Sequence, residues 1–155
     1  MDETKKAEQR TKSKTWRYEC RLEWKHGKSA ELYFNDAKPR FMTGGGPEFG
    51  GDAANISPAD MLVAALSSCV MSTFAGMAAR HGIEFAGYED RADGEMEVVE
   101  GALRFTKVVL RPRVTVKGKD ELTKAGEIIQ KACASCAIGN SVNFPVTCEP
   151  EVYVV

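Results

Sequence analysis

The chain has few histidines and almost no net charge, and both shortages exclude classes of function. Only two histidines, His26 and His81, occur in 155 residues. Both lie at predicted turn or helix-end positions, where lone histidines are usually exposed, so a histidine-based site is not expected. Lysine and arginine total 21 against 22 acidic residues, a formal net charge of −1. This balance gives no electrostatic reason to expect nucleic acid or an anionic membrane as a partner.

The N-terminus also lacks the apolar core of a secretion signal. Its first 14 residues, MDETKKAEQRTKSK, are mostly polar or charged, which predicts a flexible arm over 1–14 and a single domain over 15–155. We therefore expect a cytoplasmic protein, in a compartment that keeps thiols reduced. The five cysteines then predict no structural disulfide framework, and any disulfide should be transient or catalytic.

Phosphate-binding signatures are missing as well. The glycine-rich stretch from Gly44 to Pro58 lacks the Gly-Lys-Ser/Thr ending of a phosphate loop. It also lacks the strand-turn-helix setting of a dinucleotide site. Two interpretations remain, a flexible connector or a loop that folds over a pocket.

Strands and two helices are predicted from apolar periodicity. Strict alternation predicts a half-buried strand from Trp16 to Trp24, then a hairpin turn at Gly27 and two further strands. Residues 84–118 are predicted as strands with turns at Asp93-Gly94 and Glu100-Gly101, and the last residues, 142–155, as a closing strand. This order of elements predicts an α+β fold with antiparallel sheet.

The first predicted helix begins at Ser57, which has the character of an N-cap, with Asp60 at the position of a capping-box acid. Gly82 ends it, and Cys69 lies on its apolar stripe. Its low-charge run, 61–79, has about the length of a membrane span, but its alanines, serines and glycines are more typical of a core helix.

The second predicted helix covers residues 119–142, with Asp120 as its cap and an end at Gly139 and Asn140. Cys136 lies near that end. Both cysteines of interest, Cys69 and Cys136, are therefore predicted on apolar helices. Packing alone would explain them as buried small hydrophobes, and a redox pair is the alternative.

The other cysteines permit two further hypotheses. Cys133 and Cys136 have CxxC spacing, but a thioredoxin-type pair needs a helix N-terminus and this pair lies near a C-terminus. A zinc site needs about four ligands. Four cysteines could supply thiolates: Cys20, Cys133, Cys136 and Cys148. Only Cys133 and Cys136 among them have the spacing of a zinc finger.

Three segments resemble the OsmC/Ohr family of osmotically induced and organic hydroperoxide resistance proteins. They are SPADMLVAALSSCVMSTF from Ser57, CAIGNSV from Cys136, and PEFGG from Pro47. The resemblance implies an OsmC-like α+β fold, with antiparallel sheets and two central helices, in an intertwined homodimer. It implies thiol-dependent reduction of organic hydroperoxides or hydrogen peroxide at the dimer interface, with Cys69 peroxidatic and Cys136 resolving. No bound cofactor is expected, and the electrons would come from an external dithiol reductant, of the lipoyl type or another.

The resemblance also implies a cation that lowers the pKa of the first cysteine and an acid that orients that cation. Ala59 stands where the peroxidases of the family have glutamate, and Asp60 follows it. We therefore take Asp60 or Glu48 as the orienting acid. The candidate cations all precede the glycine-rich loop: Arg21, Lys25 and Arg40.

Two outcomes remain open from the sequence. The protein is either a thiol peroxidase or an OsmC-like stress or small-molecule-binding protein with little or no peroxidase activity. The peroxidase hypothesis predicts that mild hydroperoxide links Cys69 to Cys136 within one subunit and leaves Cys20 and Cys148 reduced.

Overall fold

The computed structural model describes residues 14–155, so the predicted arm over 1–14 lies outside the described residues except for Lys14. The chain divides into two compact units, one ending at Ile56 and the other running from Ser57 to Val155. The single domain expected over 15–155 stays a prediction.

The first unit is a three-stranded antiparallel sheet in the order β1-β2-β3. The predicted hairpin is confirmed, and Gly27 makes its turn with a φ of 51°, a conformation that glycine adopts at little cost. The 3₁₀ helix Pro47–Phe49 interrupts the glycine-rich loop. The strands are β1 (Arg21–His26), β2 (Ser29–Tyr33) and β3 (Phe41–Gly44).

The predicted start of the first strand at Trp16 is wrong, because β1 begins at Arg21. Arg21 pairs with Tyr33, the last residue of β2. Beyond Tyr33 the chain turns at residues 36–37, so nothing continues the ladder alongside Trp16. A strand needs that ladder to satisfy its backbone groups, and alternation by itself does not supply it.

The second unit is a four-stranded mixed sheet built on one long hairpin. Its strands are β4 (Phe85–Val99), β5 (Ala102–Val116), β6 (Val146–Cys148) and β7 (Glu151–Val154). β4 and β5 are antiparallel, whereas β6 and β7 each pair with β5 in parallel. The closing segment is therefore two short parallel strands rather than one strand, because a helical crossover returns the chain in the direction of β5.

Only one of the two predicted turns within 84–118 exists. Glu100 and Gly101 have φ of 51° and 81° and join β4 to β5, but Asp93 and Gly94 lie inside β4. A Cβ on Gly94 would lie 3.0 Å from Val63 Cγ2 and 2.8 Å from Phe105 Cε1. This glycine therefore permits a close approach of the first helix to the sheet, rather than a turn.

The first helix, α1 (Pro58–Arg80), has the predicted start. Ser57 accepts a hydrogen bond from the backbone of Asp60, and the Asp60 carboxylate accepts one from the backbone of Ser57 in return, which completes a capping box. By length and composition α1 could cross a bilayer. Its buried face lies in the core of this unit, however, and core helices of soluble proteins share this composition, so α1 does not indicate a membrane protein.

The second helix is shorter than predicted. α2 runs from Leu122 to Ala134, and Asp120 lies in a preceding 3₁₀ helix rather than at its cap. Cys136 follows the end of α2, and residues 139–141 form a separate 3₁₀ turn. After Cys136, the Gly139 amide bonds to the sulfur of Cys136 rather than to a helix carbonyl.

α1 and α2 pack against each other and against the sheet to form one core. From Val108 to Val116, every second residue of β5 points into this core, as expected for a strand with one buried face. The largest buried side chains are Phe74, Leu66, Leu110, Ile129, Val70, Val108, Val114, Val116, Pro112 and Cys136. The predicted α+β fold is confirmed, with the mixed pairing of β6 and β7 as its correction.

The contact at Gly94 predicts an unusual response to alanine. Gly94→Ala should lower the free energy of unfolding by about 1–3 kcal/mol through overpacking against Val63 and Phe105. Gly126→Ala is the matched control, because its Cβ would meet nothing within 4 Å and alanine is favoured in a helix. Urea unfolding of both variants measures the difference, and equal stability of the two would contradict the assigned contact.

A second prediction concerns assembly. Leu22 and Trp24 on β1 are 60% and 68% exposed, and apolar area of this kind marks interaction surfaces. We expect light scattering at micromolar concentration to give about twice the chain mass of 17.0 kDa. Trp24→Glu should shift the mass toward one chain and Trp24→Phe should not. A wild-type protein with the mass of a single chain would rule out the homodimer.

Candidate active site

The second unit brings Cys69 and Cys136 together. Cys69 lies at the middle of α1 and is half-buried, whereas Cys136 lies just after α2 and is buried. The two thiols are close enough that each shifts the pKa of the other, and the Cys136 thiol also points at the Leu66 carbonyl on α1 at 4.0 Å. They are separated by more than sixty residues in sequence, so only the packing of the end of α2 against α1 creates the pair.

A turn after α2 surrounds both sulfur atoms with backbone N–H groups. The Gly139 amide donates to Cys136 Sγ with an N–Sγ distance of 3.2 Å. The amides of Ile138 and Ala137 lie near the sulfur of Cys69 and lower its pKa. The Thr73 hydroxyl, four residues after Cys69 on the same helical face, is a further donor. A thiolate accepts such hydrogen bonds, so this arrangement favours negative charge on Cys69.

The two thiols have pKa values shifted in opposite directions. Burial raises the pKa of Cys69, but the hydrogen bonds from Ile138, Cys136, Ala137 and Thr73 outweigh it and leave the pKa below its usual range. Burial and the hydrogen bond with Cys69 raise the pKa of Cys136, against the opposing amide of Gly139. The pair therefore holds its first negative charge on Cys69, with Cys136 as the protonated partner.

Sequence reasoning missed these donors. Thr73 is recognisable in the sequence as a neighbour of Cys69 by its spacing of four, but spacing alone does not show that its hydroxyl is directed at the thiol. Ala137, Ile138 and Gly139 act through backbone N–H groups, which leave no residue-type signature in a sequence. An activating amide turn therefore becomes visible only in the folded chain.

The three candidate cations lie in the first unit and are engaged with side chains there. Lys25 Nζ pairs with carboxylates of Glu23 at 3.0 Å and Glu31 at 3.1 Å. Arg40 and Arg21 place their guanidinium carbons 4.5 and 5.5 Å from the centroid of the Tyr33 ring. The assignment of one of them as the cation that activates Cys69 stays a prediction.

The two candidate acids have separate positions. Asp60 accepts hydrogen bonds from the backbone and hydroxyl of Ser57 at 2.9 and 2.8 Å, and these bonds lower its pKa. It lies nine residues before Cys69, about 13 Å along a helix, and so does not contact that thiol. Glu48 belongs to the 3₁₀ helix of the first unit, where its carboxylate packs beside Gly46. Their orienting role stays a prediction.

Cys133 and Cys148 form a disulfide, so the prediction that Cys148 stays reduced is wrong for this structure. The last turn of α2 and the end of β6 bring their Cα atoms to 6.2 Å, a separation that a disulfide spans. Cys133 thus pairs with Cys148 rather than with Cys136 as CxxC spacing suggested. Two of the four sulfurs considered for zinc are no longer thiolates, and residues 14–155 contain no clustered metal-binding group.

The chain is a small α+β protein with two packed helices and a pair of neighbouring thiols, and comparison places it within one family. Residues 50–151 match the OsmC-like protein family. The chain therefore belongs to the OsmC-like family, and the resemblance of its three signature segments is confirmed.

Three relatives illustrate the range of similarity. An OsmC-like protein of unknown function from Vibrio cholerae is 28% identical, with a TM-score of 0.78 over 88% of this chain and 100% of that chain. The uncharacterized protein YmaD of Bacillus subtilis is 28% identical over 110 residues, 69% of this chain and 73% of that protein. The organic hydroperoxide resistance protein OhrB of Bacillus subtilis is 18% identical, with a TM-score of 0.62 over 88% and 98%. At 18% identity, the similarity to OhrB establishes the fold alone.

The groups around Cys69 predict that its thiol loses its proton at a lower pH than an ordinary cysteine. Because its pKa is lowered, the Cys69 thiolate fraction should rise with pH through a midpoint below the ordinary thiol value of about 8.5 and stay high above it. Thr73→Val removes one donor and should move the midpoint upward. Iodoacetamide labelling of the Cys69 peptide across pH, followed by mass spectrometry, gives the midpoint, and Cys20→Ser serves as the control. A midpoint at or above 8.5 would refute the activation.

Proposed function

We propose that the protein is a thiol peroxidase that reduces organic hydroperoxides through Cys69 and Cys136. The observation that carries this proposal is the coupled pair, in which hydrogen bonds favour the Cys69 thiolate and keep Cys136 protonated. A thiolate is the nucleophile that attacks a peroxide, and a second thiol beside it prevents overoxidation. Membership of a family whose structural neighbours include named organic hydroperoxide resistance proteins supports it further.

The first step is attack of the Cys69 thiolate on the O–O bond. A sulfur–oxygen bond forms, the O–O bond breaks, and the leaving alkoxide takes a proton to become an alcohol. Cys69 is oxidised to a sulfenic acid, and the hydroperoxide is reduced by two electrons. The amides of Ala137 and Ile138 hold the sulfur in its charged form before the attack.

The second step is condensation of the sulfenic acid with the thiol of Cys136. A disulfide forms between Cys69 and Cys136 and one water leaves. Because the two thiols are neighbours that shift each other's pKa, this step needs little rearrangement. A dithiol reductant from outside the protein, of the lipoyl type or another, then returns both sulfurs to thiols and is itself oxidised to a disulfide.

The surroundings of the pair favour an organic hydroperoxide over hydrogen peroxide. Ile138, whose amide lowers the pKa of Cys69, is 38% exposed. Apolar side chains at the surface near a thiol favour a substrate with an apolar tail. We further propose that the active form is a cytoplasmic homodimer.

Steady-state turnover tests this function directly. With tert-butyl hydroperoxide and dihydrolipoamide, wild-type protein should consume the hydroperoxide catalytically. Cys69→Ser should lower the rate by at least 10³-fold, a loss of about 4 kcal/mol in transition-state stabilisation. In Cys136→Ser, the first equivalent of hydroperoxide should give a sulfenic acid on Cys69, and a second equivalent should oxidise it to a sulfinic acid.

Cys20→Ser is the matched control, because that cysteine is exposed in the first unit, and it should turn over at the wild-type rate. Peptide mapping after one equivalent of hydroperoxide should find Cys69 joined to Cys136. No hydroperoxide consumption by the wild type, with either dihydrolipoamide or dithiothreitol, would favour the small-molecule-binding alternative.

A further inference from the structure

The Cys133–Cys148 disulfide closes a loop that contains the sulfur-binding turn. Its two cysteines are 15 residues apart in sequence, and the enclosed segment includes Cys136 and the amides of residues 137–139. One end of this loop is the last turn of α2, and the other is the last residue of β6. Both ends of the segment that contacts the reacting thiols are thus joined by a covalent bond.

Non-covalent contacts hold the same segment at several points. Inside the turn, the Asn140 amide donates to the Cys136 carbonyl at 2.9 Å, and Ser141 donates from its hydroxyl to the Ala137 carbonyl at 2.7 Å. At its exit, the Val108 amide donates to the Pro145 carbonyl at 3.0 Å, and β6 pairs with β5 over only three residues. The disulfide adds a covalent link between the last turn of α2 and this short strand.

We propose that Cys133 and Cys148 are positioning residues, whose disulfide holds the 137–139 turn with its amides against the sulfurs of Cys69 and Cys136. The inference rests on the proposed function in treating Cys69 as the reacting thiol. The disulfide limits the conformations that the enclosed segment can adopt. Without it, the amides spend part of the time away from the sulfurs, and Cys69 loses donors that favour its charged form.

The first test uses a cycle of three variants: Cys133→Ser, Cys148→Ser and the double variant. The readout is the pH profile of Cys69 alkylation, followed on its own peptide by mass spectrometry. We expect each variant to raise the apparent pKa of Cys69 by about one unit, which slows alkylation at pH 7 about tenfold. The double variant should match the single variants, because each removes the same bond. An unchanged profile in the double variant would overturn the proposal.

Two further measurements separate positioning from general loosening. Val146→Ala weakens the packing of β6 but keeps the disulfide, and its Cys69 profile should stay at the wild-type position. Cys133→Ala/Cys148→Ala removes the disulfide without adding hydroxyl groups to half-buried positions, and should reproduce the shift of the serine variants while circular dichroism shows folded protein. A shift in Val146→Ala as large as in the double variants would overturn the specific role of the bond.

Peptide mapping under non-reducing conditions supplies the last test. The protein purified without reductant should contain the Cys133–Cys148 disulfide before any hydroperoxide is added. A disulfide that forms only after hydroperoxide, and only when Cys69 is present, would overturn the positioning role in favour of a relay of oxidising equivalents. Alkylation of Cys69 needs no hydroperoxide, so this test is independent of peroxidase turnover. If the wild type shows no turnover and the disulfide variants still shift the alkylation profile, the proposed function is refuted and this inference stands.

Discussion

The site depends on the contact between the sulfur of Cys69 and the backbone amides of the turn after α2. Burial of a thiol in a helix interface raises its pKa, and a mid-helix position offers no helix end to offset this. The amides of Ala137 and Ile138, together with the Thr73 hydroxyl, reverse the balance.

The fold of the second unit makes that contact possible. β5 supplies a continuous inward row of side chains, and α1 and α2 pack over it and over each other. Gly94 lets α1 approach the sheet at Val63, six residues before Cys69. The parallel return of the chain after α2 places β6 beside β5. The turn between α2 and β6 is therefore connected to the core at both ends. The residues that stabilise the core therefore also position the reacting thiol.

Uncharged groups of the second unit lower the pKa of Cys69: the amides of Ile138 and Ala137 and the hydroxyl of Thr73. Groups of this kind need no reorganisation when charge develops, because fixed amides already point their dipoles at the sulfur. Arg21, Lys25 and Arg40 pair with carboxylates and with Tyr33 in the first unit. Whether one of them also acts on Cys69 stays a prediction.

The sequence by itself determined the secondary elements whose signals are local, and the family. The capping box at Ser57, the Gly27 hairpin and the two signature segments that contain Cys69 and Cys136 depend on neighbours within a few residues, so they were readable directly. Tertiary structure alone decided the start of β1, the extended conformation at Gly94, the pairing of Cys133 with Cys148 and the donors to Cys69. Each of these depends on a strand partner, a packed helix or a backbone amide distant in sequence, and neither residue type nor spacing encodes such contacts.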